Sequence, residues 1–149
     1  MSQRPAGESP VSALIAFFET LDPESVARLP AYYAADAYFK DPFNEVTGVV
    51  PIQHIFTHLF RQLDEPRFVV SDHVVGENSA FLVWEMYYRL PRRRRQEGMR
   101  VIRGASHLKF AADGKVVWHR DYWDAAEELY ATLPGIGWLM RLLQRKLAA

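Results

Sequence analysis

Apolar residues recur at helical spacing in the first half of the chain and at strand spacing in the second. "SPVSALIAFFETLD" places them three and four apart behind a serine and a proline, so Ser9 caps a helix and Pro10 opens its first turn. "DPESVARLPAYY" repeats the signal with Asp22 as cap and Pro23 next, until Pro30 interrupts it. "AYFKDP" predicts a short strand, stopped because the residue before Pro42 is held extended. After Gly48, "PIQHIFTHLFRQL" predicts a third helix with Ile52, Ile55, Phe56, Leu59, Phe60 and Leu63 on one face.

The period then changes to two. "RFVVSDHVV" and "SAFLVWEMYYRL" flank the turn-like "GEN", and "MRVIRGASHLKF" and "KVVWHRDYW" flank "AADG". A short helix, "AAEELYATL", and a last one, "GWLMRLLQRKL", follow. Helices first and a meander of long strands afterwards predict an α+β fold, with helices covering one face of a curved, mainly antiparallel sheet. Residues 1–8 read as a loose arm, 9–133 as the domain and 134–149 as an amphipathic C-terminal helix.

Asp113-Gly114 is a strong hairpin signal, and a two-residue turn there sets the register of the last two strands. Phe110 then faces Val117, Leu108 faces His119, Ser106 faces Asp121, and Gly104 faces Trp123. All eight share one side, because side chains alternate along a strand. The other side carries Arg103, His107, Lys109, Trp118 and Arg120, so it faces water or a partner, and Asp121 and His119 point inward. A loop of three residues would spoil this register. The same alternation in "FLVWEMYY" turns Leu82, Trp84, Met86 and Tyr88 inward and leaves Glu85 outside.

Composition narrows the picture. At 149 residues, 49% of them apolar, the chain has ample material for one core. Lys plus Arg equals Asp plus Glu at 18 each, so no charge excess calls for nucleic acid. There is no cysteine, which excludes disulfides, thiol nucleophiles and thiolate metal sites. The start, "MSQRPAGESP", lacks the apolar stretch of a secretion signal, and no run reaches the about 20 apolar residues of a membrane span. A cytoplasmic protein is the expectation.

Several residues invite chemistry. Asp121, inward beside Trp123 and Leu108, is desolvated in a way that suits acid–base work, or is simply bonded to Ser106 or to backbone. His119 on the same face is its companion or a satisfied core histidine. Asp41 is a second acid or an Asx-turn residue ahead of Pro42. Asp124 stands three before Glu127, the spacing of a helix cap. His54 and His58 are four apart on a helix, opposite its apolar face and with no third ligand nearby, so no metal is expected. "RLPRRRRQEGMR" packs five arginines between Arg89 and Arg95, which reads as a solvated loop without the aromatic interleaving of a nucleic-acid site. The last helix sets Trp138, Leu139, Met140, Leu142, Leu143 and Leu147 against Arg141, Gln144 and Arg145, a pattern for packing on a domain, on a dimer mate or on a membrane surface.

"YYAADAYFKDPFNEVTG" after two helices, the helix that follows, and "GASHLKFAADGKVVWHRDYWD" together resemble the nuclear transport factor 2-like superfamily in its SnoaL-like branch, from Val11 to about Leu133. The resemblance implies a cone-shaped pocket of mostly apolar lining, often in homodimers. "DPF" is similar to the ketosteroid isomerases and puts their general base at Asp41. Their two oxyanion donors fall at Phe17 and Ser106, neither of which is the family's residue. "RDYWD" is similar to the limonene epoxide hydrolases and aligns their water-activating acid with Asp121. Their partner arginine and second acid fall at Met86 and Tyr88, and the residues holding their water at Phe39 and Asp41.

The reading is therefore a SnoaL-like protein that binds a small, mostly apolar molecule, with Phe17, Tyr33, Trp84, Met86, Tyr88, Ser106, Leu108 and Trp123 around it. Any catalysis is acid–base chemistry without a cofactor (isomerisation, cyclisation or hydration) on Asp121, His119 and Asp41. The alternative is a non-catalytic binding or assembly module. An apolar cavity with Asp121 within reach favours the first; a cavity filled by Trp84, Trp123 and Tyr88 favours the second.

Overall fold

A computed structural model describes residues 8–90, 98–128 and 135–148. The arginine run at 92–95, most of the N-terminal arm and the second half of the predicted "AAEELYATL" helix lie outside the described residues. Helix α1 spans Pro10–Glu19, with the Ser9 hydroxyl accepting from the Ser12 N–H at 3.1 Å as a side-chain cap. The proline-interrupted segment becomes a 3-10 helix over Ser25–Ala31, and the Asp22 carboxylate accepts from the Ser25 N–H at 2.7 Å. Strands β1 (Tyr33–Lys40) and β2 (Glu45–Thr47) precede helix α2 (Val49–Gln62). Then follow β3 (Asp64–Val75), β4 (Ser79–Arg89), β5 (Arg100–Phe110), β6 (Val116–Tyr122), the one-turn α3 (Ala125–Glu128) and α4 (Ile136–Leu147).

The six strands form one curled open sheet in the order β2-β1-β6-β5-β4-β3, antiparallel except where β1 lies parallel to β6. The predicted α+β architecture holds. The first strand is longer than "AYFKDP" because β1 begins at Tyr33, and β2 is a three-residue partner the pattern did not signal. Gly48 leads into α2 at φ 112, a conformation costly for any residue with a Cβ, and donates its N–H to the Ala37 carbonyl.

The concave face of the sheet and the helices close over one core. Leu14, Leu29, Ile52, Leu82, Leu108 and Val116 are almost wholly buried there. Strand β4 alternates as its sequence predicts, with Leu82, Trp84, Met86 and Tyr88 buried and Phe81 and Val83 exposed. The outer face carries a ladder of rings and cations in which Phe81 stacks on His107, and Lys109 lies over Trp118. Helix α4 leaves Trp138, Leu139, Leu142 and Leu143 exposed. Among the described residues, no helix is long and apolar enough to cross a membrane.

The β5–β6 hairpin corrects one expectation and keeps its consequence. The loop has three residues, Ala112-Asp113-Gly114: the Ala111 N–H reaches the Lys115 carbonyl, and the Gly114 N–H, at φ 81, reaches the Ala111 carbonyl. An odd loop alone would turn β6 inside out. Strand β6 then spends one extra residue, Val117, in a bulge, because Phe110 pairs with Val116 whereas Lys109 pairs with Trp118. Val116, not Val117, is the buried partner of Phe110. Beyond the bulge the parity is restored, and Leu108 faces His119 while Ser106 faces Asp121, as the two-residue turn had predicted.

Gly104 is the other constraint on this face. It pairs with Trp84 on β4, and a Cβ at Gly104 would stand 2.6 Å from two carbons of the Trp84 indole and 3.1 Å from the Trp123 Cβ. The indole lies across the glycine, which is why a residue weak in strands stands mid-strand here. Gly104→Ala is expected to lower the unfolding free energy by about 1–3 kcal/mol by displacing the ring; a denaturant titration with an unchanged midpoint would contradict this packing.

Candidate functional site

Three rungs of the sheet build the site. Ala80 and Leu108 lead across to His119, Leu82 and Ser106 lead to Asp121, and Trp84 pairs with Gly104, on whose far side stands Trp123. On the other side of β6, Phe39 pairs with His119 in the parallel ladder, their rings 4.7 Å apart. His119 and Ser106 are buried, and the Asp121 side chain keeps 17% exposure.

These residues form one hydrogen-bonded chain. The Trp84 indole N–H donates to the Ser106 Oγ at 2.8 Å, and the Ser106 hydroxyl donates to Asp121 Oδ1. His119 Nε2 lies 2.6 Å from the same Oδ1, and His119 Nδ1 lies 2.7 Å from the Tyr33 hydroxyl. A neutral imidazole with its proton on Nε2 satisfies every member: Tyr33 donates to Nδ1, and Nε2–H donates to Asp121. As an imidazolium the ring would donate at both nitrogens. The buried Tyr33 proton would then have no acceptor among the bonds of the described residues. Both donors on Asp121 fall on Oδ1, so Oδ2 is the oxygen these bonds leave to a ligand.

The acid stands on the wall of a cavity of about 640 Å³, open at its mouth. Its lining is mostly apolar and aromatic, including Phe39, Phe56, Phe68, Trp84, Tyr88 and Trp123. A smaller void of about 30 Å³ continues the space inward past Asp121 to Ser106 and His119. The aromatic residues form walls; they do not fill the space.

Sequence-predicted residues fall into three groups. Asp121, Asp41, Trp84, Met86, Tyr88 and Trp123 line the larger cavity, and His119 and Ser106 the smaller one. Phe17, Tyr33 and Leu108 line neither: Phe17 stacks on Tyr32, Leu108 is packed in the core, and Tyr33 stands behind His119 as its hydrogen-bond partner. Asp41 reaches the mouth, but its Oδ1 accepts from the Phe43 and Asn44 N–H groups at 2.7 Å each, the Asx-turn arrangement. Asp124 caps α3 through the Ala126 and Glu127 N–H groups.

Two features escaped the sequence. The flank of α2 formed by Ile55, His58, Leu59 and Gln62 borders the cavity, so the exposed His54 and His58 line it as well. The Tyr33–His119 contact joins residues 86 apart, and no local pattern signals it.

The model of the SnoaL-like domain family matches residues 14–119. The chain belongs to that family. No curated protein matches it. Among solved structures it is similar to a Catenulispora acidiphila protein of ketosteroid isomerase-like fold in complex with trimethylamine, at 14% identity over 85% of this chain and 92% of that one, with a TM-score of 0.66. A protein from Jannaschia sp. CCS1 described as a SnoaL-like polyketide cyclase shares 13% identity over 85% and 93% of the two chains, with a TM-score of 0.67. TerC, co-crystallised with polyporic acid, shares 14% identity over 79% and 91%, with a TM-score of 0.64. Identities this low establish the shared fold, which is the nuclear transport factor 2-like one that the sequence resembles.

Burial, and after it the charge of Asp121, hold the Tyr33 phenol well above its usual range. Below pH ~10 Tyr33 is protonated in both folded and unfolded chains and contributes no pH dependence. Above it the unfolded chain releases a proton that the folded chain keeps, so stability falls as pH rises, by up to about 1.4 kcal/mol per pH unit. Tyr33→Phe should be less stable than wild type by about 1 kcal/mol at neutral pH, through the lost hydrogen bond. That gap should narrow above pH ~10 in urea titrations; curves that stay parallel would contradict the buried phenol.

Proposed function

We propose that this SnoaL-like protein binds a small, largely apolar molecule in the cavity beside Asp121 and performs acid–base chemistry on it. The observation that carries the reading is a carboxylate on the wall of an otherwise mostly apolar cavity, one of whose oxygens is already committed to buried donors. A general acid or base must be oriented and within reach of the reacting atom. Ser106 and His119 supply the orientation, and the cavity supplies the reach.

In this reading Asp121 is the catalytic residue. Its Oδ2 takes a proton from an acidic C–H, an O–H or an attacking water. It returns that proton to another atom of the same substrate, so the acid is regenerated within one turnover. Isomerisation, cyclisation and hydration all fit this proton balance. His119 is a positioning residue, because both of its ring nitrogens are engaged by protein groups. Tyr33 holds the imidazole in the tautomer that donates to Asp121. Asp41 shapes the mouth through its turn, and its carboxylate adds negative charge there.

The relatives solved with trimethylamine and with polyporic acid support small-molecule binding in this kind of scaffold. They differ too much from this chain to name its substrate. The walls of Trp84, Tyr88 and Trp123 enclose space, which favours the enzyme over a filled binding module.

Asp121→Asn keeps the size of the side chain and an oxygen to accept from Ser106 and His119, but cannot exchange a proton. With saturating amounts of the compound recovered from the purified protein, this variant should lose roughly 10²–10⁴-fold in turnover. Turnover equal to wild type would remove Asp121 from the mechanism.

A further inference from the structure

We propose that the ligand of this cavity is a hydrophobic amine, held as its ammonium cation between Asp121 and the aromatic wall. The inference rests on the reading that Asp121 faces the ligand, and it specifies the chemistry of the part that meets the acid.

Charge is the first observation. The described lining of the 640 Å³ cavity contains two carboxylates, Asp121 and Asp41, and neither lysine nor arginine. Asp41 is held by N–H groups of its own turn, and its Asn44 amide contacts are neutral as well. The ion-pair partner of Asp121 among the described residues is His119, and the bonding pattern there calls for a neutral imidazole. Neutral donors orient a carboxylate without cancelling its charge. A charge turned toward an apolar space is costly unless a counter-charge arrives, and an anionic ligand would meet two like charges with no lysine or arginine in the described wall, since Lys40 and Arg120 line the neighbouring cleft instead.

The second observation is the wall itself. Phe39, Phe56, Phe68, Trp84, Tyr88 and Trp123 surround the space, and Phe43 meets the edge of Trp123 with ring centroids 5.5 Å apart. Aromatic faces attract a cation through the ring quadrupole, more strongly as water is excluded, and alkylated ammonium groups suit such surfaces. A negative end and an aromatic enclosure are complementary to the same ligand: an ammonium head on an apolar body. His54 and His58 at the mouth are exposed and would repel such a ligand only when protonated.

The test uses three probes of matched size and different charge: benzyltrimethylammonium, its neutral carbon isostere neopentylbenzene, and phenylacetate. Each is titrated against full-length wild type and Asp121→Asn by calorimetry, with circular dichroism confirming that the variant is folded. The ammonium is expected to bind wild type at least about tenfold more tightly than neopentylbenzene, the equivalent of one modest charge contact. Asp121→Asn should erase that advantage and leave neopentylbenzene within about twofold. Neopentylbenzene binding as tightly as the ammonium, or phenylacetate binding best, would overturn the cation inference while leaving the apolar site intact. Failure of all three to bind would overturn both. Should Asp121→Asn not fold, wild type decides alone: the ammonium preference must shrink as sodium chloride is raised, and a salt-independent ratio would contradict it.

Discussion

A carboxylate that leaves bulk water must keep its hydrogen bonds, and nearly everything distinctive about this molecule follows from how Asp121 keeps them. Its Oδ1 takes two donors, Ser106 and His119, and each is itself held by a buried ring, Trp84 on one side and Tyr33 on the other. The four partners come from four strands, β4, β5, β6 and β1, so the acid ties the centre of the sheet together. Removing one partner would leave a buried polar group unsatisfied, at a cost of about 1–3 kcal/mol, which makes the chain of bonds a single unit instead of a set of exchangeable contacts.

That unit dictates local features that would otherwise look arbitrary. The indole of Trp84 reaches Ser106 because Gly104 offers no Cβ beneath it. Asp121 points inward because an odd loop and a one-residue bulge cancel. The Trp84 ring, laid across Gly104 and bonded to Ser106, is part of the cavity wall. An acid with one oxygen anchored and the other unclaimed among the described residues is suited to moving protons, and an aromatic enclosure whose described lining holds no lysine or arginine is suited to a ligand that brings its own positive charge.

The inward direction of Asp121 and His119 was legible because alternation along a strand is strict. The prediction survived a wrong turn type only because Val117 absorbed the extra residue, and bulges leave no dependable trace in apolar pattern. Strand β4 could be read residue by residue, since one of its faces is core and the other is solvent. The site was less legible wherever it depends on distant pairing. Tyr33 meets His119 only because β1 lies parallel to β6, and a parallel neighbour is not announced by any hairpin. Phe17 shows the reverse error: correspondence with a family position placed it at the ligand, whereas its ring is spent on Tyr32 in the core. Periodicity puts His54 and His58 opposite the apolar face of α2, but it marks one core face and cannot reveal a flank that borders open space.

The bonding pattern requires a neutral His119 that links Tyr33 to Asp121 with its proton on Nε2. Long-range proton–nitrogen NMR of the imidazole side chains at neutral pH tests this most directly, with His119 assigned by comparison with His119→Gln. The expected result is a protonated Nε2 and a bare, hydrogen-bond-accepting Nδ1. A proton resident on Nδ1 with Nε2 unprotonated would break the chain at Asp121 and contradict it.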